Sequence, residues 1–274
     1  MKIFLLILIV LSLLNCNNEK QMTKKTNSIV VYGDSRTNDA IHKKIVEKIL
    51  NINPVAIMFT GDMVANGNDL IQWKTFKDIA LDKFEKYKIN FYSSLGNHEG
   101  DGKSYLEILK LPGNERFYSI NELGINFIIL DNTSDMSENS EQYKFLTEEL
   151  KKIDTTKINA IVMHYPVINS GRHSGNDTLK NLLHPLFKEY KIDIVFSGHD
   201  HNYEKLQKDG VYYIVTGGGG APLYDLKKKD ENSLLFVKEY HFCKLYFTEN
   251  VLNIEVIDIN SKVIDKFAIN KSSK

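Results

Sequence analysis

Ala56-Ile57-Met58-Phe59-Thr60-Gly61-Asp62 is a short apolar run that stops at a glycine and then presents a carboxylate. A run of this kind, bounded by turn residues, reads as a buried strand. The pattern recurs along the chain. Val30-Val31-Tyr32 precedes Gly33-Asp34-Ser35-Arg36, and Ile161-Val162-Met163 precedes His164. Ile194-Val195-Phe196 precedes Gly198-His199-Asp200-His201. Gly96-Asn97-His98-Glu99 adds another polar cluster, and His173 follows His164 in a short loop. Open α/β sheets bind ligands beyond the carboxyl ends of their strands. These segments therefore deliver Asp, Asp, Asn-His, His and His-x-His to one sheet edge. Carboxylate, amide and imidazole in that mixture suit Mn, Fe, Zn or Co.

Helical stripes lie between the strand ends. Ile41, Ile45, Val46, Ile49 and Leu50 form one, and Trp73, Phe76, Ala80, Phe84 and Tyr87 a second. Leu179, Leu182, Leu183, Leu186, Phe187 and Tyr190 form a third at helical spacing. After about residue 200 the pattern changes to strands, over 211–216, 234–237, 242–247, 251–257 and 263–269. There is no internal repeat and no Pro/Gly-rich linker, so residues 28–274 read as one α/β domain.

The order of these motifs resembles the calcineurin-like metallophosphoesterases, and among them the purple-acid-phosphatase-like branch, over residues 28–224 or so. Gly-Asn-His-Glu and Gly-His-x-His, in that order and each after a strand, carry most of the resemblance. It implies a four-layer αββα sandwich: two mixed β-sheets flanked by helices, with a metal site at the strand carboxyl ends. It also implies two metal ions (Mn, Fe or Zn) sharing Asp62. One would be completed by Asp34 and His201, the other by Asn97, His164 and His199. His98 would assist the leaving group, and His173 would stand over the substrate.

Two positions depart from that family. The commonest first motif is Asp-x-His, but here the third residue is Arg36. A guanidinium stays protonated and has no lone pair to give, so Arg36 cannot be a ligand. It is either a fork for phosphate oxygens or a surface arginine in a loop. Purple acid phosphatases place a tyrosine three residues after the bridging aspartate; here that position is Ala65, so no tyrosinate colour is expected. His42, on the apolar side of its helix, is either the missing ligand or a core histidine. Tyr203 is a weak candidate for lining the site. Asp200 reads as a turn residue, and Gly217 to Gly220 as a tight turn, since no Lys-Ser/Thr follows it.

The chemistry implied is hydrolysis of a small phosphorylated substrate by a metal-activated hydroxide. Monoesters are favoured over diesters and nucleotides; a metal-binding scaffold on the same fold is the other class. Lys plus Arg equals Asp plus Glu at 35 each, so no global field attracts nucleic acid, which argues against a nuclease.

The N-terminus reads as a targeting segment. Lys2 is followed by an apolar stretch from Ile3 to Leu14, too short to span a bilayer and suited to a signal h-region. It ends at Cys16, so residues 1–15 resemble a bacterial lipoprotein signal with lipidation at Cys16. Residues 16–27 would be a polar tether to a membrane. Leu13-Leu14-Asn15 departs from the usual small residue before the cysteine, and a plain secretory signal is the alternative. Either way the domain is exported, to the cell envelope or beyond. Cys243 is then the one remaining thiol, which leaves no intramolecular disulfide.

Overall fold

The computed structural model describes residues 26–173 and 177–271. The expected signal segment, Cys16 and most of the tether lie outside the described residues.

Among the described residues, thirteen strands form two sheets. The first contains β1 (Ser28–Tyr32), β2 (Ala56–Phe59), β3 (Asn90–Ser93), β11 (His241–Thr248), β12 (Val251–Asp258) and β13 (Val263–Asn270), in the order β13-β12-β11-β1-β2-β3. The second contains β4 (Tyr118–Glu122), β5 (Ile125–Ile129), β6 (Ile158–Val162), β7 (Ile194–Ser197), β8 (Tyr203–Lys208), β9 (Val211–Thr216) and β10 (Ser233–Val237). Its order is β10-β8-β9-β7-β6-β5-β4. Strands β1, β2 and β3 are mutually parallel, as are β5, β6, β7 and β9, and the remaining pairs are antiparallel.

Alternation along the central strands explains the layering. In β1, Ile29 and Val31 face the other sheet, while Val30 and Tyr32 face helices. In β6, Ala160 and Val162 join the inter-sheet core, and Ile161 packs on the opposite face. A strand apolar on both faces needs cover on both, and helices supply it. On one side lie α1 (Asp39–Ile52), α2 (Leu70–Phe76) and α3 (Asp82–Lys86); α4 (Lys103–Ile108) follows β3 in the chain. The other side is covered by α5 (Glu141–Lys151) and α6 (Asp177–Glu189). The fold is the four-layer sandwich that the sequence implies.

The first helical stripe becomes α1, capped by Asn38 Oδ1, which accepts from Ile41 N at 3.3 Å. Asn53, in the left-handed region at φ 51°, ends it. The second stripe is interrupted: a π-helical stretch, Lys77–Leu81, joins α2 to α3. Among the described residues no helix is long and apolar enough to cross a membrane.

Candidate metal centre

Parallel strands of a sheet put their carboxyl ends on the same edge, and the expected metal ligands lie just beyond such ends. Asp34 follows β1, Asp62 follows β2, Asn97 and His98 follow β3, His164 follows β6, and His199 follows β7. Three of these turns are strained. Asp34, Asp62 and His199 take positive φ values of 57°, 62° and 66°. Such residues persist where their surroundings over-determine them, as at functional sites. Two glycines let backbone approach the carboxylates. A Cβ on Gly96 would lie 2.4 Å from Asp62 Oδ1, and one on Gly198 would lie 2.2 Å from Asp34 Oδ2.

The histidines share one arrangement. His164 Nδ1 donates to Thr60 O at 2.8 Å, His201 Nδ1 to Pro222 O at 2.8 Å, and His98 Nδ1 to Ala65 O at 2.8 Å. A carbonyl can only accept, so each ring carries its proton on Nδ1. That leaves Nε2 directed to the cleft as a lone pair whenever the ring is neutral. His164 Nε2 lies 2.9 Å from Asn97 Oδ1 and 3.4 Å from Asp62 Oδ1. His201 Nε2 lies 3.5 Å from Asp34 Oδ1. Acceptors converging in this way, all but sealed from solvent, fit a cation. Ligating atoms of Asp34, Asp62 and His164 lie within 4.8 Å of one another, the one such group among the described residues.

Asp62 stands at the middle. Its Oδ1 accepts from His98 N at 3.0 Å and faces His164; its Oδ2 accepts from Arg36 Nε at 3.1 Å. Burial pushes its pKa up, but His164, His98 and Arg36 together hold the carboxyl below its ordinary value. Burial pulls His164 down, and Asp62 and Asp34 more than reverse it. His199 is driven down to about 2 by burial, His164 and His173, so its imidazole is neutral and able to ligate. Its backbone N–H points at Asp34, 3.0 Å from both carboxylate oxygens.

Other expectations are settled by contacts. His42 is a core histidine: its Nε2 pairs with Tyr32 Oη at 3.2 Å and its ring stacks on Phe76. Burial lowers its pKa to about 3. Tyr203 does not line the site; it is wholly buried, with Oη on Asp265 Oδ2 at 2.7 Å. Gly217 to Gly220 press against the first motif, with Gly219 N donating to Gly33 O and Ala221 N to Asp34 O, each at 2.8 Å. Asp200 is more than a turn residue. Its buried carboxylate accepts from His173 N at 3.0 Å and lies 2.9 Å from His173 Nδ1, fixing that ring 4.2 Å from the His199 ring. Arg36 is mostly buried, its side chain 14% exposed, and its guanidinium also reaches His201 Nε2 at 3.4 Å.

The sequence reading assigned no role to three further residues. Glu99 accepts from the N–H groups of Asp62, Met63 and Gly96 at 2.9, 2.8 and 2.7 Å, and so holds the Asp62 turn. Burial and the nearby Asp62 push its pKa to about 7. Asn132 Oδ1 accepts from His164 N at 3.1 Å and Tyr165 N at 2.9 Å, fixing the His164 turn. Tyr224 stacks on His201 at 4.1 Å, and the Arg172 guanidinium lies 4.9 Å from the centre of the Tyr224 ring. Asn132 follows an apolar run as the expected ligands do, which is the signal that could have found it.

Residues 28–203 match the family described as calcineurin-like phosphoesterase. The chain belongs to that family. The phosphoesterase domain is similar to a probable purple acid phosphatase of Arabidopsis thaliana, 37% identical over 118 residues, 38% of this chain and 28% of the relative. The chain thus spans under a third of that relative's length. Its fold is similar to that of a purple acid phosphatase from yellow lupin seeds, with a TM-score of 0.75 at 19% identity, covering 90% of this chain and 54% of the other. It is similar also to GAP50, the anchor in the inner membrane complex of Plasmodium, with a TM-score of 0.73 at 21% identity over 90% and 89% of the two chains. The calcineurin-like and purple acid phosphatase families use dinuclear metal centres, and the Asp34, Asp62 and His164 group is the candidate here.

Proposed function

We propose that the protein is a metal-dependent phosphoester hydrolase acting on small phosphate monoesters. One observation carries the reading: anchored imidazoles, carboxylates and an amide oxygen bring their polar atoms together at one point. Asp62 would be shared between two ions. Asn97, His164 and His199 would hold one ion, and Asp34 and His201 the other. Bound ions supply a hydroxide at neutral pH and neutralise the phosphate oxygens. His98, its side chain 31% exposed and its Nε2 3.9 Å from Asp62 Oδ2, would donate to the leaving alcohol from Nε2 when its ring is protonated. His173, held by Asp200, would contact the substrate from the other side of the cleft.

Lipidation at Cys16 would hold the domain at a membrane. Metal analysis with a phosphate-release screen on aryl mono- and diesters tests the proposal. Bound metal and monoesterase activity are expected; turnover of neither ester overturns it.

A second reading is a binding protein on the same fold. Arg36 and Ala65, both on one side of the centre, favour it. Metal bound without turnover is its signature.

A further inference from the structure

We infer that the rim of the centre on the His173 side is a subsite for a second anionic group, carried on the leaving alcohol and held by Arg172 with Lys227 beside it. The inference rests on the hydrolase reading above and names the kind of substrate this centre prefers. Tyr224 carries the argument. Its ring stacks on that of His201 at 4.1 Å with 20° between the planes, and stands 5.5 Å from the ring of His173. The Arg172 guanidinium lies over the same ring, 4.9 Å from its centre. The stacked imidazole fills one face of Tyr224, so the guanidinium takes the other. Its charge is thus set one aromatic ring away from an imidazole expected on a metal ion.

Backbone contacts fix this rim as well. Tyr224 N donates to His201 O at 2.9 Å, Lys227 N and Lys228 N to Ser170 O at 3.1 Å, and Asp230 N to Ser170 Oγ at 2.8 Å. Residues 224–230 are thereby laced to the loop that carries Arg172 and His173. Lys227 Nζ donates to Arg172 O at 3.3 Å, which brings a second cation to the same place. The acidic groups of these segments are already engaged: Asp200 by His173, Asp225 by Lys238 and Asp230 by Asn232. Among the described residues no carboxylate pairs with Arg172 or Lys227. A ring face holds a cation without neutralising it. The exposed guanidinium therefore keeps its N–H donors for an anion of the substrate. An alcohol that bears its own anion about one ring away from the scissile phosphate fills this place. A neutral alcohol leaves the charge unused.

The test compares phenyl phosphate with 4-carboxyphenyl phosphate on the full chain in the presence of Mn2+. The ratio of their kcat/KM values is measured in wild type, Arg172→Gln and Arg172→Lys. Comparing ratios between variants cancels the difference in leaving-group acidity. The preference for the carboxylated ester should fall by about three- to tenfold in Arg172→Gln, the range of a partly screened ion pair, and by less in Arg172→Lys. Added salt should erode the wild-type preference in the same direction. Phenylphosphonate and 4-carboxyphenylphosphonate, titrated by calorimetry, should show the same Arg172-dependent preference in Kd without any turnover. Equal preference in wild type and Arg172→Gln, by rate and by binding, would overturn the inference and leave the hydrolase reading standing. An Arg172-dependent preference in binding with no turnover of either ester would keep the subsite and remove the hydrolase reading. Neither binding nor turnover would remove both.

Discussion

The two oxygens of Asp62 look onto unlike surroundings. On the His164 side, a buried imidazole meets the Asn97 amide and the His199 ring, and it is pinned by Thr60 O and Asn132 Oδ1. On the Arg36 side, a guanidinium stands where that pattern has a histidine, and a cavity opens beside Ala65. The strand framework is the same for both, so the fold does not dictate the difference. Single loop residues do. The same scaffold can therefore keep one half of a centre and rebuild the other at two positions.

The largest effect should come from the atom both sides share. Asp62→Asn should lose both ions or nearly all phosphate release; full metal content and rate in this variant would end the comparison, since neither side would need Asp62. His98→Ala comes next. It should keep the metals and slow poor leaving groups by about 10²–10⁴-fold, with aryl phosphates less affected. If it empties the centre instead, His98 supports the ions and not the leaving group. Glu99→Gln should weaken metal binding by about 10–100-fold, because the turn carrying Asp62 loses its anionic anchor. Unchanged affinity in a calorimetric titration would show that the turn holds itself.

A pH experiment separates His42 from the Arg36 side. The folded-state pKa of His42 is about 3 against an ordinary 6.5, so the folded protein resists the proton that the unfolded chain accepts. Its contribution is complete above the unfolded pKa and is lost as pH falls from 6.5 toward 3. Between pH 8 and pH 5 the loss is about 2 kcal/mol. His42→Gln should remove that part of the acid sensitivity in urea unfolding while leaving metal content alone. Altered metal content would mean that His42 does take part in the centre. The smallest expected signal is a negative one: iron-loaded protein should be colourless, since Ala65 cannot supply tyrosinate and Tyr203 is held by Asp265. A strong visible band would place a tyrosine on the iron.

The sheet edge was legible because the residues that reach it stand beside strands apolar on both faces. Val30–Tyr32, Ala56–Phe59, Ile161–Met163 and Ile194–Phe196 need burial whatever the rest of the chain does. β8 is hidden in the sequence, since Tyr203-Glu204-Lys205-Leu206-Gln207-Lys208 looks polar. Its buried Glu204 is tolerated because Ser170 N and Ser233 Oγ donate to it at 2.8 and 2.6 Å. The hairpin of β4 and β5 and the helix α5 carry no site motif to announce them. The supporting contacts of Asp200, Glu99 and Asn132 join loops far apart in sequence, and no local spacing announces them. The chemistry of a guanidinium excludes Arg36 as a ligand; that it contacts Asp62 and His201 is a fact of three dimensions.

The most direct test of the proposed activity is phosphate release from an aryl monoester by the full chain, before chelation, after it, and with Mn2+ restored. Metal-dependent hydrolysis at this centre requires the rate to vanish on chelation and return with the ion. A rate that survives chelation, or bound ions with no hydrolysis of any mono- or diester, would contradict it.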